Sequence, residues 1–243
     1  MSFIIPQWPV PKNVFSYITT RQGGVSQGAY ASFNLAQHVE DDPNLVTENR
    51  RQLEQNLHLA LAESWLTQVH GIEVVTLPKA GPHTADAAIT SQANTACVVL
   101  TADCLPVLLC NQEGSEVAAV HAGWKGLASG VLEATLAQMT SAPDTLFAYL
   151  GPAISAPHFE VGREVLTAFT KEHHEHQQAF KPAATPEVYY ADLYLLARQK
   201  LSAQGVCNIY GGTYCTYQQE ALFYSYRRDH GITGRIASLI YFT

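Results

Sequence analysis

Charged residues are scarce in this sequence. They make up 14% of its 243 residues, whereas hydrophobic residues make up 47%. This balance excludes an intrinsically disordered chain, because it provides enough apolar side chains for a sizeable core. The 14 Lys and Arg residues are outnumbered by 21 Asp and Glu, which gives a net charge of -7. We therefore expect no nucleic-acid partner and no membrane partner, since neither attracts a negative protein.

Long apolar runs and paired cysteines are also absent. The sequence contains no stretch of the roughly 18 apolar residues that a membrane-spanning helix needs. The apolar run at residues 3–5 is interrupted by Pro6 and has no basic segment before it, so we expect no signal peptide. The five cysteines are odd in number and form no CxxC pair. This pattern argues against a disulfide framework and favours a cytoplasmic location.

Hydrophobic patterning predicts a chain that alternates strands with a few helices. Apolar runs predict strands at 14–19, 72–77, 96–101, 105–110, 116–121, 145–150, 207–211, 222–226 and 235–242. Apolar residues at helical spacing predict helices at 43–57, 125–140, 160–172 and 191–204. Because strands outnumber helices and several are apolar throughout, we expect an α+β fold with mixed sheets covered by helices. No repeat or linker divides residues 1–243, which are predicted to form a single domain.

Three residues with metal-binding side chains stand at the ends of apolar runs. His70 lies in TQVHG, Cys104 in LTADCLPVLL and His121 in VAAVHAGW. Strand ends are where a rigid scaffold presents functional groups, and two imidazoles with one thiolate suit a borderline-soft cation. Three protein ligands leave a fourth position open, as in a catalytic rather than a structural zinc site. We predict a catalytic zinc site here, with copper as an alternative metal.

Two other interpretations use the same residues. In the first, Cys104 is the nucleophile of an amide hydrolase and His121 is its base. Asp103 is next to this cysteine, but neighbours on an extended strand point to opposite faces. In the second, the protein binds metal without turning over any substrate. Walker-A, GxGxxG and HExxH motifs are absent, so nucleotide-fold and thermolysin-type chemistry have no support.

Several polar residues beside glycines or aromatic residues are candidates for binding an anion. Arg21 lies in TTRQGGVS, where backbone N–H groups can turn toward an anion, and Asn34 follows in SFNLAQH. Arg50 lies in the first predicted helix, and Arg227 ends the aromatic run FYSYRR. We predict that these four residues bind phosphate or another part of a substrate.

The segment 171–187 is a polar run that contains His173, His174 and His176. Its two prolines indicate the end of a helix followed by a surface loop. We interpret the three histidines as part of a solvated face.

Taken together, the motifs resemble those of one family. TTRQGGVS, SFNL, QVHG, ADA, TADCLPVLL, VAAVHAGWKG, GPAI, FEVG, GGTYCTY and FYSYRRD follow one another in the order typical of the YfiH family. That family is also described under the names polyphenol oxidase and laccase-domain protein. The resemblance extends from residues 6–9 to the last predicted strand.

This resemblance implies a single domain of layered α/β/β/α type with a zinc site. The family's ligands fall on His70, Cys104 and His121. The implied activity is that of a purine nucleoside phosphorylase, which acts with phosphate on adenosine, inosine, guanosine and methylthioadenosine, and adenosine deaminase activity accompanies it. The alternatives that the family suggests are a copper-dependent polyphenol oxidase and an enzyme that edits cell-wall peptide precursors. We expect a monomer or a weak homodimer.

Overall fold

The computed structural model describes residues 2–171 and 173–243 of the chain. Its strands are β1 (Phe3–Ile4), β2 (Val14–Thr19), β3 (Leu66–Thr67), β4 (Val74–Thr76), β5 (His83–Thr84), β6 (Ala87–Thr90), β7 (Cys97–Thr101), β8 (Leu105–Asn111), β9 (Val117–Ala122), β10 (Leu146–Leu150), β11 (Glu160–Gly162), β12 (Phe180–Pro182), β13 (Val188–Ala191), β14 (Asn208–Gly211) and β15 (Ile236–Phe242). Its α-helices are α1 (Pro43–Leu57), α2 (Trp124–Ser129), α3 (Val131–Gln138), α4 (Arg163–Thr170) and α5 (Leu193–Ala203).

Two stacked sheets form the centre of the molecule. The larger has the strand order β14-β10-β8-β9-β6-β4, with antiparallel pairs in the middle and a parallel pair at each edge. The smaller is antiparallel throughout, in the order β1-β2-β15-β7. Leu108 and Val117 of the larger sheet share one apolar cluster with Val99 and Ile240 of the smaller. The strands β7, β8 and β9 are apolar throughout because both of their faces are buried.

Helices cover the outer faces of both sheets. Leu132 of α3 and Leu196 of α5 belong to the cluster on the outer face of the larger sheet. Leu53 and Leu57 of α1 pack on the outer face of the smaller sheet. The resulting order of layers confirms the expected α+β fold of α/β/β/α type. Within the residues that the structure describes, no helix is both long enough and apolar enough to cross a bilayer.

The helix α1 shows how local sequence sets an element. The Asp42 side chain accepts a hydrogen bond from the Asn44 N–H, and Pro43 occupies the first helical position, so the helix has both a cap and a favourable start. It ends at His58, which adopts a left-handed conformation with φ 53°. The boundaries predicted from the sequence for this helix are confirmed.

Eight of the nine predicted strands are present, but two predicted helices are interrupted. The helix predicted at 125–140 is divided at Gly130, whose φ of 102° ends α2 before α3 begins. The segment predicted as a helix at 160–172 begins as the strand β11 and becomes helical at Arg163. Its last residue, Glu172, lies outside the described residues.

The strand predicted at 222–226 is wrong. Phe223 and Tyr224 are fully buried, but their backbone is irregular, lies between two turns and makes no strand pair. The Phe223 N–H donates to the Gln219 carbonyl, and the Arg228 guanidinium donates to the Phe223 carbonyl. These local partners make the backbone hydrogen bonds that a neighbouring strand would otherwise provide. The aromatic run therefore fills the core as an irregular segment.

Residues 173–187 are more ordered than the predicted surface loop. A 3-10 helix spans His174–Ala179 and leads into β12, which joins β13 and β11 in a small sheet. His176 is only 4% exposed, so the interpretation of this histidine as part of a solvated face is wrong. His173 and His174 are exposed, as expected.

The two central sheets meet at one end through the connection between β7 and β8. β7 belongs to the smaller sheet and β8 to the larger, so residues 102–104 cross from one sheet to the other. β8 and β9 are antiparallel, with Pro106 opposite His121 and Leu105 opposite Ala122. This register brings the crossing residues and the end of β9 to the same end of the sandwich.

Candidate metal centre and its cleft

His70, Cys104 and His121 come together at this end of the sandwich. One potential ligand atom from each residue lies within 4.8 Å of the others. The Cys104 Sγ is 3.7 Å from the His70 Nε2, and the two imidazole rings meet edge to face with centroids 4.7 Å apart. His121 is buried, Cys104 is half-buried and His70 is exposed. The group therefore has one side open to solvent.

Different parts of the fold position the three side chains. Cys104 and His121 are brought together by the register of β8 and β9. His70 lies in the loop after β3 and has a φ of 60°, which is uncommon for a residue with a side chain. The amide side chain of Gln68 holds this loop to β7, since it donates to the Leu100 carbonyl at 2.8 Å and accepts from the Leu100 N–H at 2.7 Å.

The buried carboxylate of Asp86 connects the loop to β9. It accepts hydrogen bonds from the backbone N–H groups of Val69, His70 and Gly71 at 3.2, 2.9 and 2.7 Å. The same carboxylate accepts a bond from the His121 Nδ1 at 2.7 Å. Burial opposes the charge of Asp86, but the bonds from His121 and Gly71 lower its pKa below the usual value. Asp86 is therefore an anion that orients two candidate ligands at once.

The bond to Asp86 also determines which nitrogen of His121 faces the other two side chains. Because Nδ1 donates to the carboxylate, Nε2 carries the lone pair of the neutral ring. A Cβ placed on Gly123 would lie 3.5 Å from this Nε2, 3.1 Å from the Cys104 Sγ and 2.7 Å from the His70 Cδ2. Only glycine leaves that space open at this position. The space beside Gly123 is therefore the space next to the His121 Nε2 and the Cys104 Sγ.

The protonation of Cys104 depends on its histidine neighbours. Burial alone would raise the pKa of the thiol, but the charge of His121 and hydrogen bonds from both imidazoles lower it to about 6. The Cys104 thiolate and the Asp86 carboxylate in turn raise the pKa of His121 against the effect of burial. The cysteine is therefore a thiolate at neutral pH, which is the form that both a metal and an electrophile require.

The donor set fits a transition metal. Two nitrogens and one thiolate suit zinc or copper, and the Asp86–His121 hydrogen bond is the type of contact that orients a metal-bound histidine. The open side of the group provides room for a fourth ligand such as water or substrate.

The three side chains lie in a cleft of about 500 Å³. Basic and aromatic side chains also line it, namely His38, Lys125, Arg227 and Arg235 together with Trp124, Phe159 and Tyr226. Burial, followed by the charges of Arg235 and Arg50, lowers the pKa of His38. His38 is therefore neutral at neutral pH, and the arginines and Lys125 supply the positive charge of the cleft.

A second buried carboxylate, that of Asp103, positions Arg227. It accepts hydrogen bonds from the Thr216 Oγ1 at 2.6 Å, the Ser225 Oγ at 3.0 Å and the backbone N–H of Arg227 at 2.7 Å. Asp103 has a φ of 84°. Its carboxylate therefore bonds to the segment 216–227, whereas the Cys104 side chain contacts the histidines. The two neighbouring side chains therefore have different partners.

The predicted anion-binding residues do not share one location. Arg227 lines the cleft, but Arg21 lies outside it, where its guanidinium donates to the Ala31 and Glu220 carbonyls. Asn34 is fully buried and bonds to Asp41 and Ala36. Arg50 stacks on Trp65 at 3.9 Å and donates to the Leu35 carbonyl. The structure therefore brings only Arg227 of these four to the lining of the cleft.

Sequence reasoning missed several residues of this site. Asp86 was visible only as the middle of ADA, and Trp124 and Lys125 only as the residues after HAG. His38 and Arg235 had no distinguishing pattern, because 197 residues of sequence separate them. Only the fold brings His38 and Arg235 to one cleft.

The chain is similar to known proteins over nearly its whole length. A family model described as multi-copper polyphenol oxidoreductase laccase matches residues 15–243. The purine nucleoside phosphorylase YfiH of Escherichia coli strain K12 is 48% identical over 98% of this chain and 98% of its own length. The chain belongs to the YfiH family. The resemblance read from the motifs is thus confirmed.

Two further relatives of this YfiH-family chain are similar over nearly their whole length. A purine nucleoside phosphorylase of Pseudomonas aeruginosa is 48% identical, over 99% of this chain and 98% of its own. The crystal structure of a Neisseria meningitidis protein superposes with a TM-score of 0.95 at 48% identity, covering 100% of this chain and 99% of that one. The α+β fold is therefore the fold of its structurally known relatives.

We expect Asp86→Asn to weaken zinc binding by about 10–100-fold, because the amide cannot accept all of the hydrogen bonds that orient His121 and the His70 loop. Zinc affinity is measured by competition with a chromophoric chelator, on protein whose fold is checked by circular dichroism. Asp144→Asn, at an exposed carboxylate, is the control. Equal affinities for the two variants would contradict the orienting role of Asp86.

In the metal-free protein, we expect Cys104 to react with iodoacetamide with a half-maximal rate near pH 6, the value to which its pKa is lowered. The thiolate is present above this pH and is lost as the pH falls through it. A cysteine with the ordinary pKa of about 8.5 would lose reactivity two units higher. Peptide mass spectrometry identifies the modified residue, and a half-maximal rate near pH 8.5 would refute the thiolate assignment.

Proposed function

We propose that this protein is a zinc-dependent purine nucleoside phosphorylase with adenosine deaminase activity. The observation that carries the proposal is an open His70–Cys104–His121 group in a cleft that also contains arginines and aromatic rings. The names of the curated relatives from P. aeruginosa and E. coli support the reaction class. The proposed substrates are phosphate with adenosine, inosine, guanosine or methylthioadenosine, and the proposed location is the cytoplasm.

The charge of the cleft supports a phosphate substrate. The Arg227 guanidinium donates to the Glu160 carbonyl, and that of Arg235 donates to the Thr233 and Gly234 carbonyls. In the part of the chain that the structure describes, neither arginine forms an ion pair with a carboxylate. Backbone carbonyls thus hold both guanidinia without neutralising them. An incoming phosphate can accept hydrogen bonds from the remaining N–H groups of the two guanidinia.

In phosphorolysis, a phosphate oxygen forms a bond to the ribose C1′ while the C1′–N9 bond breaks and its electron pair leaves with the base. Arg227 and Arg235 would orient the phosphate for this attack. Trp124 and Phe159 line the same cleft, and a purine would stack on aromatic rings of this kind. The departing base takes up a proton, which can come from solvent because the group is open on one side.

Deamination needs a water oxygen to add to C6 of adenine and ammonia to leave. A zinc ion held by His70, Cys104 and His121 would supply Lewis acidity and a water of lowered pKa. Asp86 would keep the His121 imidazole oriented during this chemistry. Copper fits the same three donors, so the polyphenol oxidase that the family description names is a further activity to assay with the copper-loaded protein.

A thiol hydrolase acting on amide bonds, including cell-wall peptide precursors, is the second candidate. The observation in its favour is the chain of contacts from the Cys104 thiolate through His121 to Asp86, which resembles a Cys-His-Asp triad. This candidate requires turnover without metal and a covalent adduct on Cys104.

We expect Cys104→Ala to lose zinc and to reduce phosphate-dependent release of adenine from adenosine by about a hundredfold or more, since a catalytic metal contributes several kcal/mol. Cys207→Ala, at an exposed thiol outside the cleft, should behave like the wild type. Products are separated by chromatography with and without phosphate, where adenine indicates phosphorolysis and inosine deamination. Undiminished adenine release by metal-free Cys104→Ala would refute the proposal. Full activity in chelator, with trapping of Cys104 by an electrophile, would favour the hydrolase.

We expect Arg227→Ala to raise the KM for phosphate by about 10–100-fold, because one hydrogen-bonded charge contributes roughly 1.5–3 kcal/mol. The KM for the nucleoside should change less. Arg163→Ala, which removes an exposed arginine paired with Glu187, is the matched control. If the KM for phosphate is the same in both variants, Arg227 does not bind phosphate.

A further inference from the structure

A second group of metal-binding side chains lies outside the cleft. His173, Glu175 and His176 each offer one potential ligand atom, and the three atoms lie within 4.8 Å of one another. None of the three lines the cleft of the first group. They belong to the 3-10 helix His174–Ala179 and to the residue before it. This short helix packs between α4 and α5.

One of the three ligands is fixed in a form suited to a metal. His176 is 4% exposed, and its Nδ1 lies 2.9 Å from the Oε1 of Gln199 on α5. The Nε2 of the same amide donates to the Glu175 carbonyl at 3.2 Å, so its Oε1 is the atom that faces the histidine. Because this oxygen only accepts, His176 donates from Nδ1 and keeps the lone pair on Nε2. A hydrogen bond of this kind orients metal-bound histidines.

The other two ligands are held close together but remain adjustable. The His173 Nδ1 is 3.3 Å from the Glu175 Oε1, and the two side chains are 58% and 59% exposed. The His173 and His176 rings have centroids 5.3 Å apart. Ligands bound to a tetrahedral ion at about 2.1 Å lie roughly 3.4 Å from one another. Only His176 is held by packing, so the two exposed side chains are free to rotate toward that separation.

We propose that His173, Glu175 and His176 form a second site for a divalent transition metal. Two imidazoles and one carboxylate are a donor set that zinc accepts and that copper also binds. All three ligands lie within residues 173–176, so the bound ion would fix the geometry of this segment, which Gln199 of α5 already contacts at the backbone of Glu175 and the ring of His176. The site is independent of the proposed nucleoside chemistry, because it requires none of the residues in the cleft.

The test uses the full chain with the first group disabled by His70→Ala and Cys104→Ala. Zinc binding is measured by equilibrium dialysis and by calorimetry, and the experiment is repeated with copper. We expect this double variant to bind about one equivalent of metal, because one three-ligand site remains. Adding His173→Ala or Glu175→Gln should abolish that binding. Adding Gln199→Ala should weaken it by about 10–100-fold, since the ring of His176 is then no longer oriented.

His174→Ala is the matched control, because His174 is an exposed neighbour in the same run that does not belong to the group. It should leave the affinity unchanged. The proposal is overturned if the double variant binds no metal. It is also overturned if His174→Ala weakens binding as much as His173→Ala does, since the run would then bind metal without a defined geometry. All of these variants change exposed or half-buried side chains, and circular dichroism verifies the fold of each.

Discussion

The geometry of the candidate metal centre depends on the buried Asp86 carboxylate. It accepts hydrogen bonds from three consecutive backbone N–H groups of the loop that carries His70, and a fourth hydrogen bond from the His121 ring. Burying a carboxylate is costly unless hydrogen bonds compensate it, and here the compensating donors are the elements that must be aligned. The hydrogen bonds that stabilise the buried charge therefore also hold the loop that carries His70 next to β9, which carries His121. The single acceptor oxygen of an asparagine amide could not accept all four of these bonds.

A second carboxylate performs a comparable role on the other side of the cleft. Asp103 lies in the connection between the two sheets and binds the side chains of Thr216 and Ser225 and the backbone of Arg227. It is adjacent to Cys104, so one three-residue connection supplies both a candidate ligand and the anchor of the arginine segment. The separation between Cys104 and the backbone of Arg227 is thereby set by this short connection and its hydrogen bonds.

The sequence predicts much of this arrangement, and the limits of that prediction are physical. His70, Cys104 and His121 are identifiable because each ends an apolar run, and β7, β8 and β9 are identifiable because both of their faces are buried. The aromatic run at 222–226 misleads because burial favours apolar residues in loops as well as in strands. His38 and Arg235 are unpredictable because their proximity depends on how the smaller sheet and its covering loops pack. Sequence patterns indicate which residues are buried and whether they follow the spacing of a helix or a strand, but not which distant elements contact each other.

The net charge of -7 and the positive cleft are compatible because they act over different distances. A negative surface gives little long-range attraction for an anion, since salt screens exposed charges beyond about 8–10 Å. Within the cleft, however, Arg227 and Arg235 are held by carbonyls, and the nearby carboxylates of Asp86 and Asp103 are occupied by N–H and O–H donors. The guanidinium charge is thus directed toward the open volume rather than toward an internal partner. A local field of this kind selects an anion after it arrives, so the phosphate affinity that we propose would arise from hydrogen bonds in the cleft and not from steering by the whole protein.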